Sequence, residues 1–538
     1  MMKGGLAWRS AAALSLLLAC SGSTHEVERV GIYYLQSERL SGPETVNGYG
    51  SANVGVLVTI DVKGHVIDAR VGDNFYKLDP KPALEAARKW TFKPQSFDGH
   101  PVQAVGFITI NYEAAETAPD PKVPFPEGSP QDTEVTLRRT ACYGSCPDYE
   151  VSIRGDGRVR FSSNYPRFPG SAADVHRAFN GYNVLWPGPH ETNVEPEAAA
   201  ALFQKFRDAH FMGMKPDYTA GVTDSPTYEL TLRVGTTSKV VVDYVGRSVG
   251  MPRSMTQLED AVDTLAQTDR WIRGNGGTVA LLKQQRFDFT SQAGADLVQS
   301  AIRLAQASLG RNDPTDLVRA ALASGVRLDA LIKAGPQDNS PSSLALGVLI
   351  AEFAAERGDQ KLFDRMAKQG YVSRIPKARL TALLAEGVGC NAPIARALVN
   401  AGADPKGQDN DGNALHIFRG TYGACGKASS RDRAAMARTL ITLGVPLEGR
   451  DSLDWTPLMG TSDLAVTKVL IEAGAKLDAK SNDGTTPVLS VDDDRIALTM
   501  LRAGANPRVK DPDGTLLAAA KRRHWPATLE WLAAHGIQ

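Results

Sequence analysis

Gln408-Asp-Asn-Asp-Gly-Asn-Ala-Leu-His416 and Asp451-Ser-Leu-Asp-Trp-Thr-Pro-Leu-Met459 are two versions of one phrase. It returns as Ser481-Asn-Asp-Gly-Thr-Thr-Pro-Val488 and Asp511-Pro-Asp-Gly-Thr-Leu-Leu-Ala518. Beside these blocks run helix-like segments ending Leu/Met-x-x-x-Gly, and the terminating glycines fall at 402, 444, 474, 504 and 536, in steps of 42, 30, 30 and 32 residues. The spacing predicts a unit of two short antiparallel helices and a turn. One unit cannot bury its own apolar stripe, so neighbours must stack. Thr-Pro is expected to start the first helix, with the hydroxyl capping free N–H groups and proline at the first helical position. The glycine is expected to close the second helix in a left-handed conformation.

A period near 33 residues with a Thr-Pro-Leu signature resembles the ankyrin repeat. The resemblance implies an all-α solenoid over 290–538 of six or seven units. Degenerate early units are read at Val318–Gly325, Ser343–Ala355, Asp364–Gly370 and Leu380–Leu384. It implies a concave face with finger loops that bind a protein and do no chemistry. It also implies that His416, in an Asn-Ala-Leu-His variant, bonds its own turn and the next unit. The step of 42 contains an insertion, Arg419–Arg431, expected to emerge as a loop. Trp455, at a turn tip, is the residue singled out for partner contact, since aromatic side chains dominate binding hot spots. The competing role is packing against the adjacent finger.

The chain opens with the basic Met1–Arg9, then an apolar run from Ser10 to Ala19 that is too short to anchor in a bilayer. Leu17-Leu-Ala-Cys20 resembles the bacterial lipobox. That implies a signal peptide over 1–19, lipidation of Cys20, a tether over 20–45 and a periplasm-facing anchor, with the outer membrane as the default. The competing reading is an ordinary secretory signal. Lys+Arg and Asp+Glu are 60 each, and losing Lys3 and Arg9 with the signal leaves about −2. With no basic stripe, nucleic acid is not an expected partner. The expected partners are an envelope protein and, through the lipid, a membrane.

Val54–Asp61 and Val66–Val71 alternate as a hairpin, Leu78–Trp90 has helical period, and Val102–Tyr112 is a further strand. This β-β-α-β stretch, 46–113, resembles the C-terminal domain of TonB. The matching residues are Thr59-Ile-Asp-x-x-Gly64, Ala83-Leu-x-Ala-Ala-Arg-Lys-Trp-x-Phe-Lys-Pro94 and Gly99-x-Pro-Val102. The inner-membrane helix, the long proline-rich spacer and the usual Tyr-Pro are not found. The resemblance therefore implies a fold and an envelope setting, not energy transduction. An edge strand here could pair with a partner strand, or be covered. A contact with outer-membrane transport machinery is the third functional reading.

A linker rich in proline and charge, 114–130, leads to a β-rich module over 131–275. Strands are read at 132–139, 149–154, 158–161, 228–233 and 239–244, and helices at 196–210 and 254–273. Cys142-Tyr-Gly-Ser-Cys146-Pro147-x-Tyr149, followed by the Gly155-Asp-Gly157 hairpin, resembles a family of secreted bacterial domains without assigned function. Cys142 and Cys146 are read as a local disulfide. The alternative is a thiol pair for copper or redox exchange, as in Sco-type copper chaperones, but a strand follows here where those have a helix start. Cys390 and Cys425 lie one unit apart and are either bridged or two free thiols. An even four cysteines beyond Cys20 suits an oxidising compartment.

The nine histidines form no metal-spaced pair, and the hydrolase elbow, Walker loop and dinucleotide fingerprint are all absent. Asp492-Asp-Asp494 lacks the alternation of a calcium loop and reads as a solvated helix start or turn. The chain is thus expected to be a multidomain α+β protein: a small β-β-α-β module, a β-rich α+β module and an all-α solenoid. It is expected to be non-catalytic, with no cofactor and no metal.

Overall fold

The computed structural model describes residues 27–538 except 33–34, 44, 49–51, 144–145, 164–183, 187, 308–312, 334–342, 410, 420–424 and 427. Cys20 and the signal segment lie outside the described residues. The chain is mixed α+β, with two large sheets followed by a mainly helical region that carries short two-stranded ladders.

The first sheet orders its main strands Arg29–Gly31, His100–Ala114, Ala52–Ile60 and Val66–Val71. Alternation explains it: Val54, Val56, Val58 and Ile60 point inward and are fully buried, while the residues between them face out. The helix Lys81–Ala87 covers the inner face with Ala83 and Ala87, and Trp90 follows, its indole N–H donating to the Pro43 carbonyl at 2.7 Å.

One boundary differs from the sequence reading. The segment expected as a tether through residue 45 is part of this sheet from Arg29 onward. Arg29–Gly31 runs parallel to Gln103–Val105, and Val30 and Leu35 are fully buried. Three residues are too short for a period to register in sequence, and their partner strand is over seventy residues away.

The second sheet orders seven strands: Pro189–Asn193, Arg158–Ser162, Tyr149–Arg154, Thr133–Arg139, Tyr228–Val234, Thr237–Tyr244 and Asp217–Thr219. The helices Pro196–Asp208 and Arg253–Ala266 pack on one face. The helix expected to run to 273 breaks at Gln267, whose φ of 54° ends it, and Asp269–Ile272 forms a separate turn that buries Trp271. The 114–130 linker is laid against this module. The Thr117 N–H donates to the Gly250 carbonyl at 2.7 Å and Asp120 N–H to Gly213 at 2.9 Å.

From Gly276 onward the chain is mainly helical. Gly402, Gly444, Gly474, Gly504 and Gly536 all have positive φ, from 73° to 114°, immediately after a helix or one residue beyond its cap. The Thr-Pro starts behave otherwise than expected. The hydroxyls of Thr456 and Thr486 are buried with no hydrogen-bond partner, and the helix at Pro487–Ser490 is a single turn. Side-chain caps are found instead at other helix starts, where Asn413, Asp463, Asp493 and Thr515 accept from backbone N–H groups.

The last helices return to the first sheet. Leu498 and Ala527 join its core, Ile32 forms a bridge with Asp493, and Asp98 pairs with Lys468 at 2.9 Å and Arg502 at 2.7 Å.

Candidate interaction surface

Asp451 and Ser481 begin two turns of the same build. The Asp451 N–H donates to the Trp455 carbonyl and Ser481 N–H to Thr485, while a carboxylate inside each turn accepts further N–H groups. Gln408–Asn413 and Lys510–Thr515 make the corresponding turns as two-residue ladders. Successive turns are tied together. The Lys476 N–H donates to Glu448 at 2.8 Å, Asn506 N–H to Asp478 at 2.9 Å, and Arg450 Nη1 to the Lys480 carbonyl at 2.8 Å.

His416 joins two of these turns. Its Nδ1 accepts the Asn413 N–H at 3.0 Å, which leaves Nε2–H to donate to the Trp455 carbonyl at 3.0 Å. Burial, opposed by these contacts, pushes its pKa below the ordinary value and keeps the ring neutral. Trp455 is partly buried. Arg419 stacks over its ring at 4.7 Å and pairs with Asp451, and a Cβ at Gly460 would strike the indole. The outward apolar group of this turn is Leu453, 56% exposed. Sequence reasoning fixed on the tryptophan and passed over Leu453, whose position at the turn apex was the available signal.

Cys390 and Cys425 are bonded, both buried, with Cα atoms 4.9 Å apart. The bridge pins the insertion to the preceding unit, and Arg433 holds it from the other side by donating to the Cys425 and Gly426 carbonyls. Cys142 and Cys146 are also bonded, with Cα atoms 5.4 Å apart. Their ring carries Tyr143, 85% exposed, braced by its N–H on the Asp224 carbonyl.

A polar row not anticipated from sequence crosses the second sheet. Tyr149 pairs in register with Arg139, Arg139 with Tyr228, and Tyr228 with Asp243, so all four side chains share one face. The helix Arg253–Ala266 sets Glu259 and Asp263 over them, one turn apart. Asp263 accepts from Arg139 Nε at 2.9 Å, Tyr149 Oη at 2.8 Å and Thr268 Oγ1 at 2.9 Å. Glu259 is buried and one of its oxygens has no hydrogen-bond partner. Burial, and then the charge of Asp243, pushes its pKa up to about 8, so it is a neutral acid at pH 7.

Among the described residues, no three His, Cys, Asp or Glu side chains gather in a metal-holding group. No helix among them is long and apolar enough to cross a membrane.

Residues 133–266 match the family model of a domain of unknown function, DUF6438. The match covers the second sheet, the Cys142–Cys146 loop and the polar row. Among curated proteins, none matches the chain.

Proposed function

We propose that this chain is a non-catalytic interaction protein of the bacterial envelope, lipid-anchored at Cys20, that binds a protein partner through an ankyrin-like solenoid. The observation that carries the reading is the series of turns stapled to one another through His416, Arg450, Glu448 and Asp478. Such a row presents side chains on a backbone that is already ordered, so little entropy is spent on binding. Leu453 and the Arg419–Trp455 stack are the contact residues within it. Both disulfides suit an oxidising compartment.

The test is crosslinking in intact cells followed by capture from native membranes. A protein reproducibly crosslinked to 290–538, and lost on Leu453→Asp with the fold intact, supports the reading. Crosslinks confined to 29–114 would instead favour a second reading, in which the first module pairs a partner strand with its free edge Val66–Val71.

A further inference from the structure

The first sheet leaves its outer face open. Leu57, Thr59, Ile67, Val105, Arg29, Arg70 and Asp68 line a shallow depression of about 440 Å³ there, while Lys81–Ala87 covers the opposite face. Ile67 is 53% exposed. The loop that follows its strand carries Phe75, 84% exposed, and Tyr76, 62% exposed. Phe107, in the central strand, bridges to both sides. A Cβ on Gly72 would meet its ring at 2.5 Å, and its centroid lies 5.4 Å from that of His524. His524 ends the exposed basic turn that begins Lys521-Arg522. Arg29 donates to Gln103 at 2.8 Å, and Arg70 is ion-paired with Asp68 at 2.8 Å. Asp68 shares the depression, Asp73 lies against Gly55 in the neighbouring strand, and Glu28 directly precedes Arg29.

The chain enters the face at Arg29. Because that residue is in the sheet, only eight residues separate it from Cys20, and the stretch from Cys20 to Arg29 spans at most about 32 Å even when fully extended. Whatever Cys20 is anchored to therefore lies close to this module.

We propose that the open sheet face, with the Phe75–Tyr76 loop and the Lys521–His524 turn beside it, is a docking surface for an anionic phospholipid bilayer. The inference rests on the reading of Cys20 as the anchor. Exposed aromatic rings settle at the headgroup level, and apolar side chains gain by entering the acyl boundary. Each basic side chain near an anionic surface contributes about fivefold in partitioning. The acyl chains supply durable anchoring, and the face adds a weaker, charge-dependent affinity of its own that sets the orientation, holding the last helical units near the lipid and the units from Gly276 away from it.

The experiment uses the mature chain without acyl groups, residues 21–538, and vesicles of phosphatidylethanolamine with phosphatidylglycerol or of phosphatidylcholine alone. The chain should sediment with the anionic vesicles and not the neutral ones. Arg29→Gln with Arg70→Gln should lower partitioning about 25-fold with an unchanged thermal melt. Hydrogen exchange should slow at 66–76 and 521–524 only when anionic vesicles are present. Equal binding to both vesicles, no binding, or protection elsewhere would overturn the proposal. Concentration-dependent protection of 66–76 without vesicles would overturn it in favour of a second copy of this chain. The intact mass of protein from native membranes tests the anchor separately. An unacylated Cys20 would remove the anchor reading while leaving the vesicle result to decide the face.

Discussion

The carboxylate of Asp494 accepts the backbone N–H of Gly31 at 3.0 Å, across 463 residues of sequence. The same side chain accepts from Ala527 at 2.9 Å and Thr528 at 2.8 Å, the free N–H groups at the start of the last long helix. One buried carboxylate thus caps a helix and fastens the edge strand of the first sheet to it. The reading of Asp492-Asp-Asp494 as a solvated helix start is corrected for this residue: Asp494 is fully buried and raised by burial to about 6, with its N–H donors pulling the other way. Ion pairs at Asp98 and the aromatic contact between Phe107 and His524 complete the joint.

Asp494→Ala should leave three backbone donors buried and unpaired, destabilising the joint by about 3 kcal/mol. Hydrogen exchange at 29–32 and 526–530 should accelerate together. Acceleration of one segment without the other would show that the carboxylate does not couple them. Because the folded pKa of Asp494 stands above the ordinary 3.8, its contribution is fully present below about 3.8 and is lost as pH rises through about 6. Asp494→Asn should flatten the pH dependence of exchange in that window.

Glu259 has the same sign in a higher window. Its folded pKa of about 8 exceeds the ordinary 4.5, so its contribution is present below about 4.5 and is lost as pH rises through about 8. Glu259→Gln keeps the shape of the neutral acid and should make the melting temperature of the full chain less sensitive to pH between about 4.5 and 8. A variant whose melting profile still falls as steeply as that of the parent would contradict this account of the polar row.

The two disulfides should differ in worth. Cys390 and Cys425 are 35 residues apart and Cys142 and Cys146 only 4. By chain entropy the first restrains the unfolded chain by about 4 kcal/mol and the second by about 2 kcal/mol. Denaturant melts of Cys390→Ser/Cys425→Ser and Cys142→Ser/Cys146→Ser should rank in that order. The reverse ranking would mean that the short ring braces more structure than its own turn.

Thr486→Val exchanges a buried hydroxyl without a partner for a methyl of the same shape. It should stabilise the chain by about 1 kcal/mol, whereas Thr515→Val, which removes a cap on the Ala518 N–H, should destabilise it by a similar amount. Urea midpoints moving in the same direction would refute the distinction.

Legibility followed the range of the interaction. Strands such as Ala52–Ile60 and Tyr149–Arg154 were readable because alternation is local, and the glycines at 402, 444, 474 and 504 because a left-handed helix end favours glycine. Arg29–Gly31 was not readable, being three residues whose pairing lies in a remote strand. Nor was the demotion of Thr456 and Thr486 from caps to buried hydroxyls, which depends on how the turn packs. At the turns, His416 was legible as a tie between units, but the partial covering of Trp455, which leaves Leu453 as the exposed apolar group, was set by Arg419, an insertion residue stacking on the indole.

The sequence by itself determined what each segment can be: two alternating β-rich stretches, a periodic helical region and cysteines close enough along the chain to bridge. These follow from side-chain period and backbone preference, which act over a few residues. Only the tertiary structure decided that the polar row of Arg139, Tyr149, Tyr228 and Asp243 assembles under Glu259 and Asp263, and that the end of the chain closes onto its beginning through Asp494 and Gly31. Those are partnerships of buried polar groups, chosen by what is left unsatisfied when the elements pack.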